Sequence, residues 1–306
     1  MTALKKSVLA YDVGGSHISA AVSRPDCDRL DRIVSASLPT PQTMDAFFGV
    51  CFCLGNEVLR ETPDIGGIAM AMPGPFDYSE GISWMQHKLP YLYGHSLRGR
   101  LAEQFGLRSA DVRFANDADA FLLGELYAGA AKGFRRAVGI TLGTGIGSAF
   151  AVDGVVVTQG HGVPPGGDVW NLPYGDGTVE DAISTRALQQ DYKKQSGTWK
   201  EVSEIADAAS ADAHAAVAFA GFGSHLGLAL RSILFEFSPD VIVLGGGISR
   251  SSHLFFGPAY AHLKDLACPL LASSLMDQAP LLGAAAAWWT DSETLSRVAP
   301  VLSNGR

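Results

Sequence analysis

Cysteine is scarce in this chain: Cys27, Cys51, Cys53 and Cys268 are the only four among 306 residues. They are too few and too scattered for a disulfide framework or a paired-cysteine zinc site. The close pair, Cys51 and Cys53, falls within 44–60, which reads as a helix, so small core side chains are expected there. Long apolar runs are missing too. Leu281–Trp289 is among the longest and is far short of the ~20 residues that cross a bilayer, so no membrane partner is expected. Lys5 and Lys6 open the chain, but the apolar stretch behind them meets Asp12 almost at once, unlike a secretory signal. There is no surplus of positive charge: 23 basic side chains against 31 acidic ones leave a net charge of −8, which disfavours nucleic acid as the main ligand. Low-complexity tracts and charged tails are absent as well. A reducing cytoplasm fits all of this, and with 47% apolar residues the composition is that of an ordinary globular chain, long enough for two domains at ~100–200 residues each.

Glycine, by contrast, is abundant, and it marks a faint internal repeat. The segment 6–23, KSVLAYDVGGSHISAAVS, reads as strand, glycine turn, strand; 137–152, AVGITLGTGIGSAFAV, reads the same way. Aligning Asp12 with Thr141 gives a domain-sized period. Both segments are expected to be β-hairpins with glycine at the tip, where positive φ and close backbone approach would be needed. Two such hairpins, each opening about half of the chain, predict duplicated α/β halves.

Between them, 66–72 (GGIAMAM) reads as a buried strand that stops at Pro73-Gly74-Pro75. A helix is expected over 96–105 from Leu97, Leu101 and Phe105, a short strand over 112–115, and a helix from Ala118 through Phe121, Leu122, Leu126 and Ala130. In the second half Asp153-Gly154 predicts a turn into a strand over 155–157. The glycine- and proline-rich stretch 160–177 reads as a long functional loop, 213–237 as a largely buried helix, 240–244 (DVIVL) as a core strand ending in Gly245-Gly246-Gly247, and 281–289 as a helix.

Three strand-to-glycine junctions stand out: 12–16, 141–148 and 245–249. Glycine lets backbone N–H groups approach an anion with no Cβ in the way, and phosphate is the usual anion. One such loop means little, since turns need glycine anyway; three at strand ends mean more. Two familiar nucleotide signatures fail. No Gly-Lys dipeptide exists, which excludes a Walker-type P-loop, and the third glycine of G-x-G-x-x-G is Ser148 after Gly143 and Gly145, and Arg250 after Gly245 and Gly247. An NAD-type oxidoreductase is therefore disfavoured.

Taken in order, DVGGS (12–16), MPGPFD (72–77), FANDADAFLLGE (114–125), ITLGTGIGSAF (140–150), GTVEDAIS (177–184) and DVIVLGGGIS (240–249) resemble the ROK family of sugar kinases, within the actin, heat-shock and sugar-kinase superfamily. The resemblance implies two actin-like (ribonuclease H-like) α/β domains with mixed sheets flanking a central cleft. The smaller is expected over 1–116 with 291–306, the larger over 117–290. Family repressors carry a DNA-binding winged helix before the DxGGT motif; only eleven residues precede Asp12, so a kinase is the expectation.

The same resemblance implies residue roles. Asp117 would be the catalytic base that accepts the proton of a sugar hydroxyl, its competing reading being a helix cap, a role for which Asp119 is also placed. Asn116, with Gly74 in MPGPFD, would contact the sugar, although an Asx turn would also explain the Asn. Asp12 would stand close to Mg²⁺, with contact through water. Gly14, Gly15 and Ser16 would offer donors to the transferred phosphate; Gly143, Thr144, Gly145 and Gly147 would do so from the second half, and Gly245, Gly246 and Gly247 would lie against ATP. For any single glycine a plain turn is nearly as good a reading. No role is assigned to His17 or His161.

The sugar side departs from the family pattern. GExGH and the cysteine-rich zinc segment become GDVWN (167–171) and GTVE (177–180), so Asp168 stands for Glu, Asn171 for His, and the zinc cysteines are gone. Glu180 matches the sugar-contacting Glu, no zinc is expected, and the usual Asn before Leu89 is Lys88. The expected activity is Mg²⁺-dependent transfer from ATP to a hexose or hexose derivative, as in glucokinases, fructokinases and N-acyl-hexosamine kinases. The alternatives are a polyphosphate-dependent glucokinase and a sugar-sensing regulatory protein that has lost activity. A homodimer is the expected assembly.

Overall fold

A computed structural model describes residues 6–25 and 27–290. The order of elements is β1 (Ser7–Val13), β2 (His17–Ser23), β3 (Val34–Ser37), α1 (Met44–Leu59), β4 (Ile65–Met72), a small hairpin β5 (Phe76–Asp77) and β6 (Ile82–Ser83), α2 (Arg98–Gln104), β7 (Val112–Asn116) and α3 (Asp117–Ala128). The chain continues through β8 (Arg136–Leu142), β9 (Ile146–Val152), β10 (Val155–Val156), a second small hairpin β11 (Pro173–Tyr174) and β12 (Gly177–Thr178), and α4 (Val179–Ala182). Then follow α5 (Thr185–Ser196), α6 (Val202–Ala208), α7 (Ala213–Leu234), β13 (Val241–Gly245), α8 (Phe256–Leu263), β14 (Leu270–Ala272) and α9 (Ala279–Trp289).

Packing groups the described residues into two units, those of Met1–Gly129 with Asp277–Arg306, and Ala130–Met276. Helices α3 and α9 thus belong with the first sheet, whereas the sequence reading placed 117–290 in the second domain; 291–306 and Lys5 lie outside the described residues. Each unit holds a mixed five-stranded sheet with one shared topology. In the first the order is β3-β2-β1-β4-β7, in the second β10-β9-β8-β13-β14. In both, the first three strands run antiparallel and the last two join parallel to the central one. The duplication read from two glycine hairpins is real: Asp12 and Thr141 are each the penultimate residue of their unit's central strand.

Alternation along β1 explains why the first sheet is covered on both sides. Leu9, Tyr11 and Val13 point into a cluster with Phe47, Phe48 and Cys51 of α1, and Val8 and Ala10 into another with Leu281, Ala284 and Ala285 of α9. Cys51 is a fully buried core residue, as expected, whereas Cys53 is exposed. The second unit's core gathers β8, β9 and β13 against α7. By length and composition α7 is apolar enough to cross a membrane, although the sequence holds no unbroken apolar run of that length. Its Phe219, Phe222, Leu226 and Leu230 are instead spent on this core.

Several boundaries moved. Helix α2 starts at Arg98, not 96, and α7 stops at Leu234, three residues before the expected end. The stretch 160–177 is not one loop: it contains a 3-10 turn over Pro165–Gly167 and reaches β12 through the β11–β12 hairpin. Composition saw the glycines and prolines but could not see the pairing of two-residue strands, which the surrounding packing decides.

Candidate active site

In the first unit the parallel strands β1, β4 and β7 end side by side, Asp12 opposite Ala71 and Met72 opposite Asn116. The C-terminal edge of a parallel sheet is where α/β proteins place ligands, and here it brings together Asp12, Gly74, Asn116 and Asp117. Gly14 closes the β1–β2 tip by donating its N–H to the His17 carbonyl at 2.9 Å. Neither Gly14 nor Gly15 has a positive φ, contrary to the expectation for these tips. At 14 the space is tight instead, a Cβ lying 3.0 Å from Cε1 of the exposed His17 side chain. Gly15 and Ser16 are exposed.

Helix α3 is capped by Asn116 rather than by Asp117 or Asp119. The Asn116 Oδ1 accepts N–H bonds from Ala118 at 2.9 Å and Asp119 at 3.2 Å. Asp117 is thereby released from capping and occupies the first helical position, with its Oδ1 also accepting from Ala118 N–H at 2.9 Å. Burial pushes its carboxyl above the usual range, while the charge of exposed Lys88 and backbone N–H donors act in the opposite direction. Burial likewise pushes Asp12 up to about 7, helped by the like charges of Asp117 and Asp277. Gly74 lies next to Asn116, a Cβ there falling 4.0 Å from Asn116 Nδ2.

In the second unit the two glycine junctions meet because their strands are parallel neighbours, Gly245 opposite Thr141. Gly246, with φ +81°, is the one predicted phosphate-loop glycine in the left-handed region, and a Cβ on it would press into the Leu142 backbone. The β8–β9 tip is closed by Gly143 N–H donating to Gly145 O at 3.0 Å; Thr144 is exposed. Glu180 lies against this tip: its Oε2 accepts the Ile146 N–H at 3.1 Å and fills the space a Gly145 Cβ would need. Glu180 N–H in turn donates to Trp170 O at 3.0 Å, which draws the GDVWN segment alongside. Ser148 fixes that segment, donating to Gly167 O at 2.6 Å and accepting Val169 N–H at 3.0 Å, with Asp168 exposed between them. Asn171 is also exposed, and Gly147 and Gly247 remain at the loops as expected.

Sequence reasoning missed Tyr78, Ser148 and Asp277. Ser148 was quoted within a motif, but the others carried no local signal. A cavity of about 550 Å³ lined by His161, Leu172, Phe235 and Glu236 lies elsewhere in the second unit and includes none of the predicted site residues.

Among the described residues no group of three His, Cys, Asp or Glu side chains is gathered to hold a metal ion directly. Asp12, at the end of β1, offers by itself a carboxylate of the kind a hard cation that keeps most of its waters would take.

The motif order, the duplicated sheets and this placement find their counterpart among known proteins. Residues 8–291 match the model of the ROK family. The chain belongs to the ROK family. This ROK protein is 28% identical to a glucokinase of Thermotoga maritima, over 92% of this chain and 96% of that one. It is 27% identical to an N-acetyl-D-glucosamine kinase of Yersinia enterocolitica, over 80% of this chain and 85% of the relative. The ROK hexokinase of Thermus thermophilus superposes with a TM-score of 0.73 at 26% identity, over 92% of this chain and 97% of that one. A ROK glucokinase of Streptomyces griseus, solved with glucose and AMPPNP, shares the fold with a TM-score of 0.75 at 22% identity, over 91% and 98% of the two chains. The mixed-sheet architecture is thus that of the ROK sugar kinases, with the actin-like fold.

Proposed function

We propose that this ROK protein transfers the terminal phosphoryl group of ATP to a hydroxyl of a hexose or hexose derivative. It is a sugar kinase, a phosphotransferase with an alcohol acceptor, as its glucokinase and N-acetylglucosamine kinase relatives support. The observation that carries the residue assignment is Asp117: a half-buried carboxylate beside the Asn116 cap, at the C-terminal end of the parallel strands β1, β4 and β7. A carboxylate whose pKa is raised is a better proton acceptor. In a loose phosphoryl-transfer transition state it need only orient the hydroxyl and take a late proton.

The step balances simply. The acceptor oxygen forms the new O–P bond, the bond from that phosphorus to the bridging oxygen breaks, ADP leaves with the electron pair, and Asp117 holds the acceptor's proton. Asn116 and Gly74 in the first unit, and Asp168, Asn171 and Glu180 in the second, are read as sugar contacts. The loops at 14–16, 143–147 and 245–247 are read as phosphate and nucleotide contacts. Asp12 would hold Mg²⁺ through water, and a divalent cation there supplies neutralisation of the phosphate charge. No zinc is invoked. The reading includes a cytoplasmic setting and a homodimer, the latter measured by light scattering during size exclusion.

The experiment is a panel of glucose, N-acetylglucosamine, mannose and fructose with Mg²⁺, run with ATP and separately with polyphosphate. Phosphorylation of one or more sugars is expected with ATP. Turnover with polyphosphate alone would reassign the donor, and sugar-dependent melting shifts without turnover from either donor would make the protein a sensor. Asp117→Asn should cut kcat by about 10²–10⁴-fold while sugar binding, measured by calorimetry, stays intact. Wild-type turnover by that variant would remove Asp117 from the mechanism.

A further inference from the structure

Between the base and the glycine turn lies a short hydrogen-bond chain that no motif announces. The Asn116 Nδ2 donates to the Tyr78 hydroxyl at 3.0 Å, and the hydroxyl donates to the Met72 carbonyl at 3.2 Å. We propose that Tyr78 is a positioning residue: its phenol fixes the Asn116 carboxamide, and through it both the cap of α3 and the remaining amide N–H that would face the sugar.

A carboxamide has an accepting end and a donating end, and its function depends on which way it is turned. In Asn116 every partner agrees. The oxygen end takes two N–H donors at the start of α3, and the nitrogen end gives a proton to an oxygen already committed as donor to Met72. Turning the amide over would set NH₂ against two N–H groups, so the chain has one polarity from Met72 to Asp119. One N–H of the amide lies outside these bonds and can serve an acceptor hydroxyl.

Tyr78 can impose this only if it is itself held, and it is. Its turn is closed by Asp77, whose Oδ1 accepts from Ser79 N–H at 3.0 Å, Ser79 Oγ at 2.7 Å and Glu80 N–H at 3.0 Å. Its ring packs 5.3 Å from Phe76, which packs 5.2 Å from Phe114, two residues before Asn116 on β7. Both ends of the Tyr78–Asn116 bond therefore rest on one cluster of three tilted aromatic rings. Gly74 lies beside the bond, a Cβ there falling at ordinary van der Waals distance, 3.6 Å, from the Tyr78 oxygen.

That the consequence falls on sugar binding rests on the phosphotransfer reading above, and the test separates the two. Tyr78→Phe keeps the ring and deletes only the hydroxyl. Expected are a rise of about ten-fold in sugar KM and in the calorimetric sugar Kd, the worth of one good hydrogen bond, with kcat and ATP KM within about two-fold. Amide exchange at Asp119 should quicken by about ten-fold, because its acceptor is no longer held. In an Asn116→Ala background the same change should add nothing to sugar KM. A lowered melting temperature and kcat with sugar KM unchanged would mark a merely structural tyrosine and overturn the proposal, as would unchanged exchange at Asp119. The exchange measurement needs no turnover. If the wild type phosphorylates no sugar, the functional reading falls, while exchange still decides whether Tyr78 holds Asn116.

Discussion

At the scale of single residues the site is a problem of burying charge. Asp12 is pushed up to about 7 chiefly by burial, then by Asp117 and Asp277. A carboxyl whose folded pKa lies above its unfolded value binds protons preferentially in the folded state. Its stabilising share is fully present below about pH 4 and is lost as pH rises through about 7. Asp12→Asn should therefore melt higher than wild type at pH 8, by about 3 °C, without divalent cation, and the gap should close as pH falls toward 4. Calorimetry across that range checks it, and an equal gap at both ends would refute the assignment. Asp12, Asn116 and Asp117 were legible because each sits inside a short local motif. The cap was not: Asn116, Asp117 and Asp119 all suit it on residue type, and only the backbone geometry at the start of α3 chose Asn116. Asp277 could not be read at all, being far from Asp12 in sequence and close only through the fold.

Elements are held in place by equally specific contacts. Helix α3, which carries Asp117 at its first turn, crosses α9 through small residues. A Cβ on Gly283 would press into the Ala120 carbonyl, and one on Gly124 into that of Ala279. Both obstacles are backbone, which cannot step aside as a flexible side chain would. Gly283→Ala gains about 1 kcal/mol of helix propensity but meets an overpacking cost of about 1–3 kcal/mol or more. The balance falls on destabilisation, expected at roughly 2 kcal/mol in urea unfolding, with a fall in kcat because the start of α3 moves with the helix. An alanine variant as stable as wild type would show that the crossing is loose. The sequence showed an apolar C-terminal helix, and α9 is there; its partner was hidden because LLGAAAAWW fits many surfaces and the matching glycine lies on a distant helix. The hairpin-tip glycines teach the same lesson. Gly145 leaves room for a carboxylate thirty-odd residues away in sequence, Glu180, and its own backbone angle does not call for glycine.

For the whole molecule the consequence is that the two halves are unequal in connectivity. The second unit is one continuous stretch, Ala130–Met276, with its own five-stranded sheet and a core built around α7. The first needs both ends of the described chain, since α9 covers the β1–β4 face. A fragment spanning 130–276 should fold alone and melt cooperatively. One spanning 6–129 without α9 should not, because Val8, Ala10, Ala69 and Ala71 would be left uncovered. Circular dichroism melts of the two fragments test this, and a cooperative melt of the shorter one would contradict it.

Residue pattern alone carries the duplicated α/β plan and suggests the site positions proposed above, because alternating apolar strands, glycine junctions and the ordered motifs depend on neighbours along the chain. What the tertiary structure decided was everything set by distant partners. Those partners assign α3 and α9 to the first unit, set Glu180 against Gly145, and bind Asn116 to Tyr78. Hydrogen bonds and van der Waals contacts act over a few ångströms of space whatever the separation in sequence, so no local pattern could have encoded them visibly.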